Sequence, residues 1–69
     1  MNVDTGDTLN RYDTALQRLS VEDRDLIVAR LEMQRTYDQI AATTGASSAA
    51  AAREAVCRAM CRLAAEIDR

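Results

Sequence analysis

From Thr8 to the C-terminus the chain contains one glycine, Gly45, and it has no proline anywhere. These are the two strongest helix breakers: proline removes a backbone donor and clashes with the preceding turn, and glycine costs about 1 kcal/mol of helix propensity. A chain nearly free of both, and filled with Ala, Leu, Arg and Glu, is expected to be all-α. The interior has to follow suit. With no Phe or Trp and only two Tyr in a 48% hydrophobic composition, the core is built from Leu, Ile, Val, Met and Ala, the usual palette of packed helices. Sixty-nine residues make one domain, and a chain of that length buries only about 60% of its unfolded surface.

Residues 1–7 carry Gly6 and two acids without periodicity, and they read as a flexible lead-in or the end of a linker, with the domain proper spanning 8–69. Four helices are expected, at about 8–19, 20–34, 37–43 and 48–67. The first places Leu9, Tyr12, Leu16 and Leu19 on one face. Ser20 caps the second, with Glu22 and Asp23 in the first turn where the helix dipole favours negative charge. In that helix Leu26, Ile27, Leu31 and Met33 are expected inward, and Arg24, Asp25, Arg30 and Glu32 largely outward. Thr36 and Gln39 form a T-x-x-Q capping box that starts a short third helix, burying Tyr37, Ile40 and Ala41. Gly45 ends it, being able to take positive φ. Ser47 or Ser48 caps the last helix, whose buried stripe is Ala52, Val56, Ala59, Met60, Leu63 and Ile67.

The formal net charge is −2, but it is unevenly spread. Residues 1–34 hold seven acids against four arginines, whereas residues 35–69 hold four acids against five arginines, and no cation is lysine. Any phosphate contact therefore belongs to the second half. The polar, acidic start is unlike a secretory signal and no window is apolar enough to span a bilayer, so a cytoplasmic protein without membrane contact is expected. Cys57 and Cys61, spaced i,i+4 on one helix, read as free thiols. No metal or cofactor is expected. With no His, no glycine-rich phosphate loop and no nucleophile beside a base, neither is an enzyme.

A short helix, a glycine-containing turn and a second helix with a small-residue front describe a helix-turn-helix. The segment from Ala15 to Ile67, "ALQRLSVEDRDLIVARLEMQRTYDQIAATTGASSAAAAREAVCRAMCRLAAEI", resembles region 4 of bacterial extracytoplasmic-function sigma factors. The likeness lies in Ala15, Leu16, Leu19, Asp23, Arg24, Leu26, Ile27 and Arg30, in "TYDQIA" from Thr36 to Ala41, in Gly45 with Ser48, and in the tail from Ala51 to Ala64. The resemblance implies a four-helix sigma region 4-like fold with a C-terminal helix-turn-helix that reads the minus-35 promoter element. It also implies docking on the flap of the RNA polymerase β subunit, and it leaves open a sigma-like interaction module bound by an anti-sigma factor, or a sigma mimic that does not bind DNA.

Carried onto this chain, the resemblance puts Ser48, Ala49, Ala50, Arg53, Glu54, Cys57 and Arg58 on the outward side of the helix that enters the major groove. Arg53 suits a bidentate contact to a guanine edge or a phosphate, Glu54 a cytosine amino group, and Ala50 a thymine methyl. Arg58 and Arg62 suit backbone phosphate. Arg35 and Thr36 stand where the third helix's N-terminus could meet another phosphate. Glu54 is equally suited to an i,i+4 pair with Arg58. Many family members carry more cationic or hydroxyl residues where this chain has "AAAA", so weak binding by the domain alone is expected, with affinity shared among tethered contacts.

Overall fold

A computed structural model describes residues 5–68 of the protein, with side chains from Asn10 onward. The elements are α1 (Thr5–Arg18), α2 (Val21–Ile27), which runs on as a π-helical stretch (Val28–Glu32), α3 (Tyr37–Thr44) and α4 (Ala49–Ile67), with no strand among the described residues. Helix α1 starts at Thr5 rather than Thr8, so Thr5, Gly6 and Asp7 belong to it and not to a lead-in. Residues 1–4 of the expected lead-in and the side chain of Leu9 lie outside what is described.

The helix starts are set by local hydrogen bonding. Ser20 accepts the Asp23 N–H at 3.2 Å, Thr36 and Gln39 make the reciprocal capping box, and Ser48 rather than Ser47 accepts the Ala51 N–H at 3.0 Å. Each satisfies a donor that a helix start leaves unpaired. Gly45 closes α3 with φ of 79°, and the Gly45 and Ala46 N–H groups both donate to the Ala41 carbonyl. A Cβ at Gly45 would meet nothing within 4 Å. The need for glycine is therefore conformational, and Gly45→Ala is expected to cost about 1 kcal/mol. Gly45→Asn should cost less, because asparagine tolerates the left-handed region, and a shift in the urea midpoint orders the two variants.

Helix α4 packs against α1, α2 and α3. Its back half, through Ala59 and Leu63, meets Ala15 and Leu16 of α1 and Ile27 of α2. Its front half, through Ala52 and Val56, meets Ile40 and Ala41 of α3. Leu26 and Met60, half-buried, border both clusters. Tyr12, Leu19 and Tyr37 are half-buried at the edges, and Ala15, whose helical position beside Leu16 was not singled out by the leucine spacing, is fully enclosed.

Three apolar residues expected inside are not. Leu31 and Met33 are 49% and 55% exposed. The cause is the π turn: the Met33 N–H reaches back five residues to Val28, so one extra residue enters the turn and everything after Ile27 is rotated away from the 3.6-residue phase. Arg30 moves the other way. Its guanidinium donates to the Arg35 carbonyl at 2.9 Å and lies 4.4 Å from the Tyr37 ring centroid, a cation–π contact that ties α2 to α3 across Gln34, itself at φ of 55°. Ile67, at the end of α4, is 39% exposed and lines an open groove with Asn10, Arg11, Thr14, Ala15 and Arg18 of α1.

Candidate nucleic-acid interface

The α3–turn–α4 unit is held from within. Ile40 and Ala41 on one helix and Ala52 and Val56 on the other are all buried, and Ala46 in the turn packs against them. With Ala52, Val56, Ala59 and Leu63 turned inward, the helical period sends Ala50, Arg53, Glu54, Cys57, Arg58, Cys61 and Arg62 outward, and all seven are exposed. Ser48 and Thr36 are exposed caps, Arg35 is exposed just before α3, and Ala49 is half-buried. The ten residues selected from the sequence are thus accessible, except that Ala49 is partly covered.

Their side chains differ in what they are free to do. Arg58 pairs with Glu54 one turn earlier at 3.5 Å, a contact between exposed groups worth a few tenths of a kcal/mol, roughly. Arg62 is more firmly engaged: its Nη1 lies 2.8 Å from both carboxylate oxygens of Asp23 on α2, whose side chain is only 13% exposed. That nitrogen braces α4 against α2, leaving the other guanidinium N–H groups for any phosphate. Arg53 makes no ion pair or hydrogen bond with the described residues. The Thr36 hydroxyl and N–H are taken up in the capping box. Arg35 borders a groove that also meets Leu26, Met33, Ile40 and Ala55, with Glu22 and Asp25 on its rim.

Sequence reading missed the brace between Arg62 and Asp23 and the Arg30 clamp. Thirty-nine residues separate the first pair, and no local spacing announces it. Tyr12 is a third case: its hydroxyl donates to Glu32 at 3.3 Å, and burial, with the nearby Glu32 charge adding to it, pushes that hydroxyl above its ordinary ionisation range. The outer face of α4 therefore offers one unpaired guanidinium, two guanidinium groups each shared with a carboxylate, two thiols and small side chains. Such a face can approach a groove closely but attracts phosphate weakly.

No helix among the described residues is long and apolar enough to cross a membrane. No protein-family model matches the chain, and neither does any curated protein or solved structure.

Proposed function

We propose that this domain reads promoter DNA in the manner of a sigma factor region 4, with α4 in the major groove and the rest of the bundle docked on the β-subunit flap of RNA polymerase. The observation that carries this reading is the unpaired Arg53 on the outer face of α4, little more than a turn from its capped start, opposite a buried stripe that fixes α4 on α3. Ala50, exposed one turn before Glu54, leaves room for the backbone to come near a thymine methyl. The resemblance of residues 15–67 to region 4 supplies the target, and the exposed Val21, Leu31 and Met33 supply apolar surface for a protein partner.

Selection from a randomised duplex pool, followed by a salt titration of the selected and scrambled duplexes, tests it. With Arg35, Arg53 and Arg58 as the phosphate-facing cations, the slope of log K against log salt should be no steeper than about −3. Arg53→Ala should weaken the selected duplex about tenfold and relax preference at one base step. If no sequence is enriched and Arg53→Ala changes nothing, the domain does not read DNA. That outcome favours the second reading, a sigma-like module held by an anti-sigma factor or acting as a mimic. The exposed Leu31 and Met33 beside the acidic rim of Glu22 and Asp25 suit it.

A further inference from the structure

We propose that Cys57 and Cys61 form a binding site on α4 for a single soft, two-coordinate metal ion of the copper(I) class. They are the chain's only cysteines, both are free, and both are exposed on the outer face of one helix. Residues four apart on a helix carry Cβ atoms about 5–6 Å apart. A disulfide needs Cβ atoms about 3.5–4.5 Å apart, so the pair cannot close on itself while α4 stays helical. The backbone here is not free to adjust, because Val56, Ala59 and Leu63, interleaved with the two thiols, are buried against α1, α2 and α3.

A bridging ion fits where a sulfur–sulfur bond does not. Two metal–sulfur bonds of about 2.3 Å in line put the sulfurs roughly 4.6 Å apart, a span that two thiols one turn apart reach by side-chain rotation alone. The donor number selects the ion. Among the described residues no group of three or more His, Cys, Asp or Glu side chains is gathered, so a tetrahedral zinc site lacks its ligands, whereas soft thiolates alone satisfy copper(I). Glu54, three residues before Cys57, is occupied with Arg58. Binding breaks two S–H bonds, releases two protons to solvent and forms two Cu–S bonds, with no change of oxidation state. The resulting complex carries a single negative charge, and Arg53, one turn before Cys57 and unpaired, is the cation placed to balance it.

The full, reduced chain is titrated anaerobically with copper(I) held by a competing bidentate chelator, without DNA, so the result is independent of the promoter-reading proposal. One ion per chain is expected, with the helical circular-dichroism signal retained. Cys57→Ser and Cys61→Ser should each weaken uptake about a hundredfold or more, the advantage of a second ligand fixed on the same scaffold. Both positions are exposed, so neither variant has a folding penalty to confuse the reading. One ion per two chains, or undiminished uptake by either serine variant, overturns the proposal.

Discussion

Ile27→Ala should cost the domain about 2–5 kcal/mol, the usual range for emptying a fully enclosed aliphatic site. Ile27 is completely buried, and it stands where α2 gives way to the π turn, touching a cluster built from Ala15 and Leu16 of α1 and Ala59 and Leu63 of α4. Three elements meet on that one side chain. A chain of this length has a net stability of about 3–10 kcal/mol, so the loss is a large part of the whole. The neighbours cannot collapse onto the cavity easily, since two of them are alanines with no atoms to extend. The urea midpoint of Ile27→Ala should fall so far that a folded baseline is short or missing at 25 °C. Val21→Ala, at a site 61% exposed, should stay within about 0.5 kcal/mol of the parent protein. Equal effects from the two substitutions would mean that the cluster around Ile27 is not the core.

The parts of this fold that could be read in the sequence are those decided by chemistry within four residues. Ser20, the Thr36–Gln39 box, Gly45 and the serine before α4 act on backbone groups two to four positions away, and each stands where such a signal should stand. The stripe of Ala52, Val56, Ala59 and Leu63 follows for the same reason: α4 is regular along its length, so one period holds throughout. What could not be read depends on a change of period or on distant partners. The π turn is invisible to a 3.6-residue count, and it turned Leu31 and Met33 outward against expectation while leaving Arg30 half-buried. Ile67 fits the stripe but borders an open groove lined largely by polar residues from the described part of α1. Arg62 has its partner on another helix, where spacing along the chain carries no information. For the candidate interface, accessibility followed from the period, whereas the difference between the unpaired Arg53 and the engaged Arg62 required the folded chain.

The alanine run from Ala49 to Ala52 and its continuation at Ala55 and Ala59 admit two explanations that one pair of substitutions separates. Alanine is the best helix former, so the run could exist only to make α4 stable; leucine, nearly as good, would then be neutral at any of these sites. The alternative is that some of the alanines mark where helices come too close for anything larger. Ala59 has no exposed surface and belongs to the same buried cluster as Ala15 of α1, and small side chains at both positions would let α1 lie close to α4. Ala59→Leu would place three more carbons where there is no free volume, and overpacking of that kind costs about 1–3 kcal/mol, with displacement of α1 adding to it. Ala50, by contrast, is exposed, and Ala50→Leu should leave the urea midpoint within about 0.5 kcal/mol of the parent. The same substitution should weaken binding to a selected duplex if α4 enters a groove, because its small front is what permits close approach. Ala59→Leu losing stability while Ala50→Leu loses only duplex binding would assign packing to one side of α4 and recognition to the other. Neutrality at position 59 would return the whole run to helix propensity.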